Sequence, residues 1–140
     1  MANSTVERQT LRLGDEVLVA LPDFPLKAGA KVLEGCMVGL TAAGLLVDAG
    51  DATPATQIIG IADRTVDNTG GADKAVSAPV RRGAHKFDNS GTNPVVQASL
   101  YLTTGKAEDN HTVCVAAGTG VAIKGRFLRL DTDGVYVEFY

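Results

Sequence analysis

The sequence predicts an all-β fold, an antiparallel β-sandwich with a jelly-roll arrangement favoured over a small β-barrel, behind an extended N-terminal arm. Three observations predict it. Gly and Pro punctuate the chain so densely that, beyond Gly14, the longest stretch free of both runs from Lys106 to Ala117. That stretch carries its own turn signal, Glu108-Asp109-Asn110. A stable helix needs about 10 to 12 uninterrupted residues with an apolar period of 3.6, and no segment after the arm supplies them. The side chains are small or β-branched, with 19 Ala, 16 Val and 13 Thr against 4 Phe, 3 Tyr and no Trp. Short apolar or alternating runs then recur between turns every 8 to 12 residues or so, the spacing of strands in sandwiches and barrels.

Met1 to Leu13 is polar and without a committed period, and is expected to be an arm in front of a single domain over residues 14–140. Strands are expected at Glu16–Leu21, Cys36–Thr41, Leu45–Asp48, Gln57–Val66, Lys74–Arg82 and Ala84–Asp88. Four more follow at Val95–Thr103, Thr112–Ala116, Val121–Thr132 and Val135–Tyr140. Pro22-Asp23-Phe24-Pro25 reads as a rigid, non-strand bend, because each Pro fixes its own φ and pushes its predecessor towards extended backbone. Asp67 to Gly71 and Asp88 to Pro94 read as turn-rich loops, and Gly83 marks a bulge or bend.

The C-terminus gives the sharpest local expectation. Asp133-Gly134 suits the two central positions of a type I′ hairpin. The register that follows sets Asp131 opposite Tyr136, Arg129 opposite Glu138 and Phe127 opposite Tyr140. Leu128, Leu130, Val137 and Phe139 would then form the core face. Phe127, Tyr136 and Tyr140 would lie on the opposite face, awaiting a partner or a second sheet. A weaker pattern aligns Val32–Thr41 with Pro94–Thr103 without a gap, as two β halves related by duplication would.

Charge and composition exclude several classes. Thirteen Lys and Arg against sixteen Asp and Glu leave a formal charge of −3, without the basic surplus that phosphate neutralisation demands of a nucleic-acid binder. No apolar run approaches the 18 or so residues of a membrane span, and the N-terminus lacks the apolar core of a secretory signal. Cys36 and Cys114 each sit alone in an apolar run and read as buried free thiols of a reducing compartment.

The chain carries little that resembles reaction chemistry. His111 lies in a polar turn and His85 in a strand-like run, with no third ligand beside Cys114 to complete a zinc or nucleophilic site. Asp131-x-Asp133-Gly134 has the start of a calcium loop but lacks its later bidentate acid. Gly118-Thr119-Gly120 lacks the setting of a phosphate loop. No cofactor, metal or small-molecule substrate is expected. The one concentration of charge is Arg81-Arg82-Gly83-Ala84-His85-Lys86. It reads either as a solvated strand face or as an electrostatic contact for an acidic partner surface.

Three stretches carry a family resemblance: Val32 to Gly71, Val80 to Phe87 and Gly125 to Phe139. They contain a strand ending in Leu40-Thr41, a Gly50-Asp51 turn, an Ile59-Gly60-Ile61-Ala62 strand and the segment Val80-Arg81-Arg82-Gly83. Together they resemble the capsid decoration, or cement, proteins of tailed phages. The resemblance implies a structural virion protein made in the host cytoplasm and seated on the outer capsid surface. It would clamp neighbouring major capsid protein subunits and associate with itself as a homodimer or homotrimer, with no nucleic acid or membrane as partner. The residues expected at such interfaces are Val6, Arg8, Leu11 and Arg12 of the arm, Arg81, Arg82 and Lys86 of the basic segment, and Phe127, Tyr136 and Tyr140 of the hairpin. Two other readings remain open: a tail or fibre module, and a trimeric β-barrel nucleotide hydrolase. The Gly-Arg-Ser-Ser type of phosphate motif found in such hydrolases is absent from this sequence.

Overall fold

A computed structural model describes residues 22–140. The expected arm and the Glu16–Leu21 strand lie outside the described residues. Within them the chain forms β1 (Asp23–Pro25), β2 (Lys31–Val32), β3 (Met37–Leu40), β4 (Leu46–Asp48), β5 (Gln57–Ala62), β6 (Val66–Asp67) and β7 (Ser77–Arg81). It continues as β8 (Gly83–Asn89), β9 (Lys106–Ala107), β10 (Thr112–Cys114), β11 (Val121–Ala122), β12 (Gly125–Asp131) and β13 (Gly134–Phe139). A 3₁₀ turn spans Gln97–Ser99. The fold is all-β, as expected.

The strands form a five-stranded sheet in the order β1-β7-β5-β3-β4, a six-stranded sheet in the order β11-β9-β10-β8-β13-β12, and the small pair β2-β6. The first half of the chain thus builds one main sheet and the second half the other. A jelly roll would instead send successive strands back and forth between sheets, so that refinement of the sandwich does not hold. Neither main sheet closes into a barrel. Isolated bridges do tack edges together, Leu26 to Leu46 across the ends of the first sheet and Ile58 to Ile123 between the two. β7 and β8 are separated only by Arg82, and Gly83 adopts φ 96°, so the bend expected at this glycine is present.

One core joins the two sheets. Leu26, Met37, Val38, Leu46, Ile58 and Val80 come from the first, and Phe87, Val113, Ile123, Phe127, Val137 and Phe139 from the second. Phe87 and Phe139 meet edge to face at 5.8 Å between ring centroids, the geometry preferred by opposed quadrupoles. Val and Ala fill the rest, packing closely where larger side chains would hold the sheets apart.

Several local expectations are corrected. Pro22–Pro25 is not a non-strand bend, because Asp23–Pro25 pairs antiparallel with β7. A proline is tolerated there because an edge strand leaves N–H positions unused. The run Gln57–Val66 breaks at Asp63–Thr65 into β5 and β6. Val95–Thr103 is not a strand, and the aligned duplication therefore has no structural counterpart. Side chains satisfy its backbone locally: Asn89 Oδ1 accepts the Val95 N–H at 2.7 Å, and Asn89 Nδ2 donates to the Val95 carbonyl at 3.0 Å. Ser99 Oγ accepts the Val96 N–H in the same way. Such bonds compete directly with a sheet ladder.

The C-terminal hairpin exists, but its turn lies one residue earlier than expected. Thr132 and Asp133 form the turn, Asp131 pairs with Gly134, and Arg129 pairs with Tyr136. A bulge between Phe127 and Arg129 shifts the register again, so that Phe127 faces Val137 and Arg126 faces Glu138. An extra residue of this kind turns every side chain before it to the other face. Phe127, expected on the outer face opposite Tyr140, is consequently in the core at 2% exposure. Gly134 is not held there by a left-handed φ. A Cβ on it would stand 2.6 Å from the Phe87 carbonyl oxygen of β8, so the glycine permits close strand approach instead.

Two outcomes follow. Gly134→Val lowers stability by about 1–3 kcal/mol through overpacking, measured by chemical denaturation, while Asp133→Val, at an open turn position, has a smaller effect. Asn89→Ala leaves both Val95 backbone groups without their partner and costs about 1–3 kcal/mol, with faster hydrogen exchange over residues 95–100.

Candidate functional site

The outer face of the second sheet gathers the polar aromatic side chains. Along β13, Val135, Val137 and Phe139 point to the core, which leaves Tyr136 and Glu138 on the outside, with Tyr140 following at 47% exposure. Lys86 of β8 lies opposite Tyr136 on one side and Arg129 of β12 on the other. Their cationic groups stand 5.8 and 5.6 Å from the Tyr136 ring centroid. Two residues beyond Tyr136, Glu138 accepts from Arg126 Nε at 2.8 Å, and the Arg126 guanidinium stacks on Tyr101 at 4.8 Å. All three tyrosines of the chain therefore belong to one surface, whereas Phe87, Phe127 and Phe139 are buried. A phenol keeps its hydroxyl in water and presents a rigid ring, and a cation over that ring adds about 0.5–1 kcal/mol at an exposed site.

Each cation of this face has an acidic partner. Lys86 Nζ lies 2.7 Å from Asp133 Oδ1, and Arg129 Nε lies 2.7 Å from Asp131 Oδ1. The Asp131-x-Asp133 pair thus spends both carboxylates on cations of the sheet. The hydrogen bond to Asp133 raises the Lys86 ammonium above the usual lysine range, and the same bond holds the Asp133 carboxyl below the usual carboxylate range.

The basic segment does not form a single patch. Arg81 ends β7 and pairs with Asp63, just past the end of β5, its Nε buried without a partner. Arg82 is exposed at the junction, where its carbonyl lies 3.0 Å from His85 Nε2. Only Lys86 joins the tyrosine face. Val6, Arg8, Leu11 and Arg12 lie outside the described residues. Tyr101 and Arg126 join the face without having been expected there, while Arg129, expected on it opposite Glu138, faces Tyr136 instead. The Leu100-Tyr101-Leu102 run imitates a strand, and the bulge that turns Arg126 outward leaves no mark in composition.

Elsewhere the surface offers less. His111 stands between Asp109 and Asp88, at 3.1 and 3.8 Å, on an exposed turn. Among the described residues no group of three or more His, Cys, Asp or Glu is arranged to hold a metal ion. Cys114 is buried as expected, but Cys36 is only half-buried, and neither is in a disulfide. Burial pushes both thiols up, with Asp48 and Asp109 adding to the effect at Cys36 and Glu108 at Cys114. An open depression of about 290 Å³ is lined by Lys31, Leu33, Asp48, Gly50, Asp51 and Asn110. The Asp48 carboxylate there already accepts from Asn110 Nδ2 at 3.0 Å and from the Gly50 N–H at 2.9 Å. Among the described residues no helix is long and apolar enough to cross a membrane.

The Lys86–Asp133 pair gives a titration with a defined sign. Because the Asp133 value is lowered on folding, its stabilising effect is present above the ordinary carboxylate range and is lost as pH falls through the lowered value. Because the Lys86 value is raised, its share is lost only as pH climbs through that raised value. Carbon-detected NMR is expected to show Asp133 titrating below an ordinary aspartate, and returning towards it in Lys86→Met.

No family model matches the chain, and neither a curated protein nor a solved structure gives a match to it.

Proposed function

We propose that this chain is a capsid decoration protein, which docks on the outside of an assembled phage head and cements neighbouring major capsid protein subunits. The observation that carries the reading is the sorting of aromatic side chains. Tyr101, Tyr136 and Tyr140 lie on one outer sheet face with Lys86, Arg126 and Arg129, while three of the four phenylalanines are buried. Tyr and Arg supply large contact area at small conformational cost and dominate protein–protein hot spots. The sequence resemblance to decoration proteins over most of residues 32–140 supports the same reading.

A charge-paired sheet face suits a partner that is itself a broad and repetitive surface. Single contacts of moderate strength become tight when one unit bridges several subunits, through effective concentration. The paired acids make such a face selective, because a wrongly seated partner meets an uncompensated charge.

The test mixes the purified chain with undecorated heads of the cognate major capsid protein. Binding is expected to saturate and to raise the temperature at which heads rupture. Tyr136→Ala combined with Arg129→Glu weakens occupancy about tenfold or more, as loss of a hot spot does. Failure of the parent chain to bind, binding without a gain in head stability, or labelling confined to the tail would overturn the reading.

A further inference from the structure

The open edge of β12 carries a second inference, which needs no capsid for its test. β12 is the outermost strand of the six-stranded sheet. Its turn closes on the Asp131–Gly134 pair, which in a two-residue hairpin exchanges hydrogen bonds. Alternation then aims the N–H and C=O of Leu130 away from β13. Among the described residues no backbone group outside the sheet ladders bonds to either. Nearer the start of β12 the edge is occupied, because the Tyr101 N–H donates to the Phe127 carbonyl at 2.8 Å. Among the described residues the free edge is therefore the short run Leu128 to Asp131. At its Phe127 end stand Tyr101 and the next residue Leu102, exposed at 60 and 52%.

We propose that a second copy of this chain pairs antiparallel with this edge, about a two-fold axis centred on Leu130. Charge selects both the occupant and the register. Arg129 and Asp131 flank Leu130 on the same face of the strand. A two-fold axis at Leu130 sets each Arg129 opposite Asp131 of the partner subunit, so that the two internal ion pairs become a square of alternating sign. A two-fold axis at either neighbour would set arginine against arginine or aspartate against aspartate, which is unfavourable. The two Leu130 residues exchange their outward N–H and C=O groups, and the two sheets become one. The Tyr101–Leu102 ridge, seated at Phe127, then meets the other copy's hairpin turn and stops the pairing from running further. Tyr101 holds this position at φ 65°, a conformation that a bulky side chain adopts only under constraint. An isologous contact of this kind closes on itself, so the product is a dimer rather than a fibre.

The test is the mass of the full chain in solution at micromolar concentration, by sedimentation equilibrium, with a dimer expected. Leu130→Pro removes an outward N–H and breaks no ladder bond to β13, although it also trims a side chain packed against the core. It is expected to weaken the dimer about tenfold or more while the β13 amides stay protected from exchange. Arg129→Asp is expected to do the same by repulsion, and Arg129→Asp with Asp131→Arg to restore the dimer to within about threefold, as charge complementarity requires. Should Leu130→Pro fail to fold, the charge exchange decides alone. A monomer or a trimer at these concentrations overturns the proposal. So does a dimer indifferent to the charge variants, or a monomer whose Leu130 amide is already protected by its own chain.

Discussion

The chain passes from one sheet to the other over the single residue Arg82, and the placement of nearly everything else depends on that passage. β7 is clasped between β1 and β5, and β8 between β13 and β10. With no length of loop to absorb error, the registers of both sheets are tied through one bend at Gly83. A long connection would make the relative placement of the sheets a matter of packing alone, and side chains as small as Ala and Val define packing weakly. A direct passage makes it a matter of backbone geometry. The Ile58–Ile123 bridge, and the Lys124 N–H donating to the Ile58 carbonyl at 2.8 Å, fix the same relation from the opposite side.

That rigidity is what gives the outer face its character. Tyr136 holds its place because strands on both sides present a cation to it, and those cations hold theirs because Asp131 and Asp133 stand at the adjoining hairpin end. Individually such exposed pairs contribute little, because solvent screens them. Their effect is to limit the conformations of long side chains before any partner arrives. Ordering these chains during association would otherwise cost about 0.5–1.5 kcal/mol apiece.

Much of the fold was legible in the residues, and the departures have physical causes. The absence of α-helix among the described residues, the strands of the central runs and the terminal hairpin follow from glycine spacing and β-branching, which act locally. The position of the hairpin turn did not follow, because Asp133-Gly134 satisfies turn chemistry while Gly134 answers to the Phe87 carbonyl across the strand. Nor did the Phe127–Arg129 bulge, which has no signature of its own and decides which of Arg126 and Phe127 reaches the surface. Val95–Thr103 misled because its strand-like pattern is overruled by Asn89, a residue six positions before Val95. Of the tyrosine face, Lys86, Tyr136 and Tyr140 could be read from the sequence. Arg129 could be too, though with the wrong cross-strand partner, whereas Tyr101 and Arg126 depend on long-range contacts and on the bulge and could not.

The smallness of the core side chains has a bearing on how the protein withstands mutation. Truncating a buried Val to Ala removes two carbons and leaves a modest void, while truncating a buried Phe costs about 3–5 kcal/mol. In the first sheet the core is Val, Ala, Ile, Leu and Met, so damage there is shared among many modest contributors. In the second sheet Phe87, Phe127 and Phe139 concentrate it in three positions directly beneath the tyrosine face. Sequence drift can accordingly accumulate in the first half of the chain with graded loss of stability. In the second half the surface can diverge to follow a changing partner only while those three rings stay in place under it.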